Sequence, residues 1–354
     1  MLHSAQNLSP VVSCLDFRYV STTKRRDAKE IGNSVADLKT VKLNEEASMK
    51  ILVTDGISPE GAKIMLDAGH DVDQVKYTPE ELLANIGKYD SIIVRSATKV
   101  TKEVIEAGKN LKVIARGGVG LDNIDVEAAN AKNLLVLNTP GASAISVAEL
   151  AIGHMFALSR FLHVSKMEMI AGKWPKKEYS KGVELYGKTL GVMGFGNIGK
   201  ETARRALGLG MNVLAYDPPF TLMDFVVRIT TREKLLAESD FITLHIPADK
   251  KAGPAIGKKE LDMVKKGVII VNCARGGVVD EVALLEALES GKVGGVALDV
   301  FANEPPTDAQ KALINHPRVS VSPHIGGSTV EGQERVGIEI AQKVVKAFNP
   351  EAFH

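Results

Sequence analysis

The sequence predicts an α/β protein built on two doubly wound parallel sheets, and three observations carry that prediction. Short apolar runs alternate with helical segments from Ile51 onward, the pattern of parallel strands with helices packed on the sheet faces. One of those runs, 189–193, opens directly into the turn Gly194-Phe195-Gly196-Asn197-Ile198-Gly199 and then a helix. The last helix, Val330 to Phe348, has no strand after it and is expected to cross back onto the first sheet. At 354 residues, with 45% hydrophobic and 25% charged residues, the chain can fill two domains with real cores.

Taken in order, residues 1–48 have no periodic apolar face and read as a poorly ordered extension. Lys24-Arg25-Arg26 is its only basic cluster, and Asp16 is the only acid in the first 26 residues. That composition leaves organelle import as an alternative to a cytoplasmic location, while Met49 opens the first clear strand. A first domain is expected over 49–145, with strands at 51–54, 91–94, 112–115 and 134–137 and helices at 59–68 and 125–132. Ser146 is expected to cap one long helix running to about Ile170, with Glu149 completing a capping box. That helix is apolar nearly all round, so it is predicted to be buried between domains. A second domain over 146–327 continues with strands at 211–216, 241–244, 268–271, 295–298 and 319–321. Helices near 231–238, 258–264 and 281–290 link them, and 328–354 returns to the first domain.

Composition narrows the function. Net charge is +1, which gives no broad attraction to nucleic acid or an anionic membrane. Two cysteines, Cys14 and Cys273, make neither a disulfide framework nor a metal-ligand cluster, and they suit a reducing interior. No apolar run approaches the roughly 18 residues that a membrane span needs.

The glycine-rich turn points to a dinucleotide. Gly194, Gly196 and Gly199 let the backbone turn tightly and approach a pyrophosphate, toward which the new helix aims its N–H groups and positive dipole end. The second strand of this unit ends at Asp217, 18 residues past Gly199, near the spacing of the acid that takes the ribose hydroxyls. A carboxylate there would repel a 2′-phosphate, so NAD is expected over NADP.

Ligands of open α/β sheets bind at the carboxyl ends of strands. Here those ends are Asp217, His245-Ile246-Pro247, the stretch from Asn272 to Gly277, Asp299, and Ser322 to Gly327. Arg275 offers a planar cationic fork suited to a carboxylate and an adjacent carbonyl oxygen. His324 can exchange a proton near neutral pH. Glu304 could hold that imidazole and favour its protonated form. Singly, each has a plainer reading as a salt bridge, a turn and a loop. Their joint placement at strand ends of a dinucleotide fold favours chemistry.

The segments 271–281, 298–306 and 323–329 resemble the D-2-hydroxyacid dehydrogenases, and the resemblance runs in order over about residues 50–350. Within that family, 94–101 and 116–125 are most similar to the phosphoglycerate branch. The resemblance implies a Rossmann-like cofactor domain inserted in a flavodoxin-like substrate domain. It implies that Arg275 binds and polarises substrate, His324 is the acid/base and Glu304 orients it. Asn197 and Ile198 would give N–H groups to the pyrophosphate. Val119, His245, Ile246, Pro247, Cys273, Ala274, Asp299, Gly326 and Gly327 would border the cofactor. Arg95, Ser96, Gly118, Val119 and Gln333 would meet the substrate, with Arg95, Ser96 and Gln333 at phosphate-binding positions; a domain-interface salt bridge is the plainer reading of Arg95. Ser143 stands where the phosphoglycerate enzymes commonly carry Asn. The segment 217–227 looks short, and 250–254 lacks the usual Thr-rich turn.

The implied reaction is NAD-dependent oxidation of D-3-phosphoglycerate to 3-phosphohydroxypyruvate, the first step of phosphorylated serine biosynthesis. Glyoxylate/hydroxypyruvate reduction is the alternative, and an NAD-sensing corepressor is the alternative of another class. A homodimer or larger assembly is expected, as is a chain without the C-terminal regulatory domain of longer relatives.

Overall fold

The computed structural model describes residues 48–218, 227–249 and 251–352. The expectations for the N-terminal extension therefore lie outside the described residues, as does most of the segment 217–227. The first sheet is built by β1 (Lys50–Val53), α1 (Pro59–Asp67), β2 (Asp71–Gln74), α2 (Pro79–Asn85), β3 (Ser91–Val94), α3 (Lys102–Ala107), β4 (Val113–Arg116), α4 (Val126–Ala131) and β5 (Leu135–Asn138). Its order is β2-β1-β3-β4-β5, with every pairing parallel. Two helices follow, α5 (Ala144–Ser159) and α6 (Leu162–Ile170).

The second sheet is built by β6 (Thr189–Met193), α7 (Asn197–Gly208), β7 (Asn212–Tyr216), β8 (Arg228–Ile229), α8 (Arg232–Glu238), β9 (Phe241–Leu244), α9 (Lys258–Met263), β10 (Val268–Asn272), α10 (Glu281–Glu289), β11 (Val293–Leu298), α11 (Asp308–Ile314) and β12 (Val319–Val321), and α12 (Val330–Phe348) closes the chain. Its order is β12-β11-β10-β9-β6-β7-β8, again parallel throughout. The chain is thus an α/β protein with two doubly wound sheets. Strand order reverses between β1 and β3 in one sheet and between β6 and β9 in the other. Those switch points open crevices at the carboxyl ends of the strands.

Each sheet is buried on both faces, which explains why its central strands read as continuous apolar runs. In the first sheet, Leu52, Ile92 and Ile114 face one helical layer, and Ile51, Val53, Ile93 and Ala115 face the other. Ile340, Ala341, Val344, Val345 and Phe348 of α12 complete that second layer, so α12 does pack onto the first sheet. Full burial of each large apolar side chain contributes about 1.5–3 kcal/mol.

The region after β5 needs correction. α5 begins at Ala144, and Ser146 lies inside it, with its hydroxyl 2.8 Å from that of Thr329. Glu149 pairs with Arg205 of α7 at 2.8 Å, so no capping box forms. Nor does one helix reach Ile170. Phe161 takes left-handed φ 57° and breaks the run, and α6 leaves at 59° to α5. α5 is deeply buried, whereas no residue of α6 is. β2, α2, α3, β8 and α11 were not expected; β2 reads Asp-Val-Asp-Gln and has no buried residue.

Candidate active site

β6 delivers the glycine turn to the second sheet's crevice. Gly194 has φ 91°, and a Cβ there would lie 2.4 Å from the carbonyl oxygen of His245. A Cβ on Gly199 would lie 2.0 Å from the carbonyl oxygen of Gly194. Both positions require glycine: Gly194 for its positive φ and the His245 carbonyl beside it, Gly199 because α7 starts hard against the end of β6. Gly196 precedes α7 with nothing within 4 Å of where its Cβ would be, and no side chain caps the helix. An open, uncapped helix start fits a pyrophosphate. Asp217 Oδ2 accepts from the backbone N–H of Phe195 at 2.7 Å, so this carboxylate also ties the turn to the end of β7. Asn197 donates from Nδ2 to the carbonyl of Pro140 at 3.2 Å, joining the start of α7 to the segment after β5.

Between the two sheets lies a cavity of about 670 Å³, of the size that small-molecule sites occupy. It brings together Ile198, Ile246, Pro247, Cys273, Ala274, Arg275, Asp299, Glu304, His324, Gly326 and Gly327 from the second sheet, and Arg95, Ser96, Gly118 and Val119 from the first. Gln333 is the exception among the expected substrate residues. It borders an adjoining pocket of about 460 Å³ between α1 and α12, where it accepts from Arg95 Nη1 at 3.2 Å.

His324 and Glu304 form a close side-chain pair in the cavity. Nδ1 of His324 lies 2.6 Å from Glu304 Oε2, while Oε1 of the same carboxylate accepts from the backbone N–H of Phe301 at 3.1 Å. Glu304 is thereby fixed by the main chain and in turn fixes the ring, which leaves Nε2 as the nitrogen for a substrate. His324 holds left-handed φ 52°, a conformation that persists only where its surroundings enforce it. The enforcement comes from Asp299, which is 1% exposed. Its carbonyl accepts from the N–H of His324 at 2.8 Å, and its carboxylate accepts from Ile325 N–H at 2.9 Å and Gly326 N–H at 2.8 Å.

Arg275 follows β10. Its Nε donates to Asp122 Oδ2 at 3.1 Å and its Nη1 to the carbonyl of Ala274 at 2.7 Å. Asp122 and Arg116 lie in the segment 116–125 that carries part of the resemblance, but neither was expected at the site. Arg116 donates from Nε to the carbonyl of Arg95 at 3.2 Å and from Nη1 to that of Gly120, and it borders the cavity. Burial, and then the neighbouring Arg275, press its pKa below the usual guanidinium value. A sequence signal existed in the position of Arg116 as the last residue of β4, paired with Val94 at the end of β3 and so beside Arg95, which follows it.

Two further expectations are refined. The His245 main chain borders the cavity, but its imidazole is turned inward, with Nε2 at 3.2 Å from Thr202 Oγ1 and 3.0 Å from Thr243 Oγ1. Burial depresses its pKa to about 3, so the ring is neutral and structural. The Cys273 thiol is buried and pushed up by that burial, so it lines the wall as an apolar group.

A glycine turn for a dinucleotide, of which Ile198 borders the cavity while Gly194, Gly196, Asn197, Gly199 and Asp217 lie outside its lining, together with a cationic fork and a carboxylate-oriented imidazole in that cavity, defines an oxidoreductase acting on a small anionic substrate. Residues 152–326 match the family described as D-isomer specific 2-hydroxyacid dehydrogenase, NAD binding domain. The chain is 48% identical over 302 residues to a hydroxypyruvate reductase of Thermotoga maritima, covering 85% of this chain and 98% of that protein. It is 45% identical over 307 residues to a D-3-phosphoglycerate dehydrogenase of Methanocaldococcus jannaschii, covering 86% of this chain but only 58% of that protein. Its fold matches a crystal structure of NAD+-bound 3-phosphoglycerate dehydrogenase from Entamoeba histolytica, with TM-score 0.73, 32% identity and coverage of 87% and 98% of the two chains. The chain belongs to the NAD-dependent D-2-hydroxyacid dehydrogenases.

Proposed function

We propose that this protein oxidises D-3-phosphoglycerate to 3-phosphohydroxypyruvate, the step that opens phosphorylated serine biosynthesis. The supporting observation is a further cation in the cavity, beyond Arg275 and beyond Arg116, whose fork is taken up by backbone carbonyls. Arg95 borders the same space as Arg275 and His324, with its fork held by Gln333 and with Ser96 beside it. A substrate with an anion at each end, carboxylate and phosphate, matches two separated guanidinium groups. Hydroxypyruvate reduction is favoured instead by the Thermotoga relative, which the chain covers almost end to end.

When bound, the nicotinamide would accept the hydride from C2 in the oxidation and, as NADH, would supply it in the reduction. Arg275 takes the substrate carboxylate in exchange for Asp122. Nε2 of His324 accepts the C2 hydroxyl proton as the C–H bond is broken, and Nδ1–H donates to Glu304. In reverse, Nε2–H protonates the keto oxygen while Arg275 stabilises the developing alkoxide.

Oligomerisation is supported by Leu162, Met167, Met169 and Ile170 on α6, together with Trp174 and Tyr186, all more than half exposed. An apolar surface of this kind suits a second copy of the chain. The free, buried Cys273 suits a cytoplasmic location. A steady-state panel tests the assignment. Phosphohydroxypyruvate should exceed hydroxypyruvate and glyoxylate in kcat/KM by tenfold or more. The reverse ranking would transfer the assignment to a hydroxypyruvate reductase.

A further inference from the structure

A buried polar chain runs from α5 to the turn that carries His324. His154, 6% exposed, stands with Nδ1 at 2.9 Å from Ser320 Oγ and Nε2 at 3.0 Å from Ser322 Oγ. Ser322 donates its hydroxyl proton to Asp299 Oδ1 at 2.6 Å. Asp299 holds the following turn through Ile325 N–H, Gly326 N–H and His324 N–H. A second imidazole, His163 after the break at Phe161, lies 3.2 Å from the carbonyl of Pro317 and 3.1 Å from that of Ala157.

The direction of the chain follows from counting protons. Burial lowers the pKa of His154, so its ring is neutral and carries one N–H. Ser322 has a single hydroxyl proton, and the carboxylate of Asp299 takes it. The Ser322 oxygen must then accept, so the ring proton of His154 sits on Nε2. Nδ1 is left as an acceptor for the Ser320 hydroxyl.

We propose that His154, as the Nε2–H tautomer, is a positioning residue for the hydride-transfer site. It fixes the Ser322 hydroxyl toward Asp299, and Asp299 holds His324 in its left-handed conformation. The physical reason is over-determination. An unfavourable φ at His324 survives only while the turn's anchors act together, and Asp299 supplies them with one buried carboxylate and one carbonyl. Losing the His154 donor frees Ser322 to rotate and loosens the position of the imidazole without touching the substrate.

The inference rests on His324 being the proton-transfer group, so the test pairs a kinetic readout with one independent of activity. In protein labelled with ¹⁵N-histidine, the His154 resonances, assigned by their loss in His154→Gln, should show a protonated Nε2 and a lone-pair Nδ1. His154→Leu should lower kcat per NADH-titrated site by tenfold or more while the KM for the 2-keto acid stays within threefold. His154→Gln, which restores an amide donor toward Ser322, should recover most of kcat. A merely structural role would reduce the titratable sites and the melting temperature, and leave kcat per site unchanged. An Nδ1–H tautomer, or a Leu variant with kcat within twofold of wild type, would overturn the proposal. If His324→Ala itself kept near-normal turnover, the functional reading would fail instead, and the tautomer would still decide the direction of the chain.

Discussion

Replacing Arg95 by alanine separates a phosphate-binding role from a structural one, because the structure holds this residue by its backbone. The Arg95 N–H donates to Asp55 Oδ2 at 2.7 Å, and its carbonyl accepts from Asn123 Nδ2 at 2.8 Å and Arg116 Nε at 3.2 Å. The side chain makes one exposed hydrogen bond, to Gln333, and no ion pair with an acid among the described residues. That removes the support for a domain-interface salt bridge. Truncation should therefore change stability by no more than about 0.5 kcal/mol, as surface substitutions usually do. A charge-assisted contact to a substrate phosphate is worth about 1.5–3 kcal/mol, which corresponds to a loss of roughly 10- to 150-fold in kcat/KM. The assay is NADH oxidation at varied phosphohydroxypyruvate, hydroxypyruvate and glyoxylate, with wild type and Arg95→Ala side by side. The unphosphorylated substrates should lose no more than about threefold, having nothing to place there. Arg95→Lys should fall between, since it keeps the charge without the fork. Equal losses on all three substrates would refute the phosphate role.

Asp217→Ala should raise the KM for NAD at least tenfold and narrow the preference over NADP; equal kcat/KM for the two cofactors in the wild type would refute the assigned preference. His324→Ala should lower kcat by on the order of a hundredfold or more, as loss of a positioned acid/base does, with NADH affinity from fluorescence titration little changed. The pH dependence of stability should carry the mark of His245. Its folded pKa, about 3, lies below the unfolded value near 6.5, so the unfolded chain binds more protons between those values. Stability is then full above pH 6.5 and falls as pH drops toward 3, with a contribution of roughly 2–3 kcal/mol lost by pH 4.5. Urea midpoints measured between pH 7 and 4.5 should flatten in His245→Gln, and an unaltered slope would show that the ring is not buried neutral.

The main architecture was legible because both sheets are covered on each face, so central strands such as β3 and β10 appear as unbroken apolar runs. β2 and β8 were not, since edge strands need pair on only one side and tolerate polar residues. The α5–α6 break was hidden because Phe161 is an apolar residue in a left-handed conformation, which composition does not announce. At the site, spacing placed Gly194, Asp217, Arg275 and His324 just after strand ends, and Gly199 where α7 begins. Contacts between the sheets were beyond it. Nothing local says that Asp122 meets Arg275, that His154 reaches Ser322 across 168 residues, or that the His245 ring turns inward to Thr202.

The most direct test of the central claim is the configuration of the product. Wild-type protein, NADH and a prochiral 2-keto acid such as hydroxypyruvate, run to completion and resolved by chiral chromatography, should yield the D-2-hydroxy acid in stoichiometric amount with the NADH consumed. An L-product, or no reduction of any 2-keto acid including phosphohydroxypyruvate, would contradict the assignment of a D-2-hydroxyacid dehydrogenase site to Arg275, Glu304 and His324.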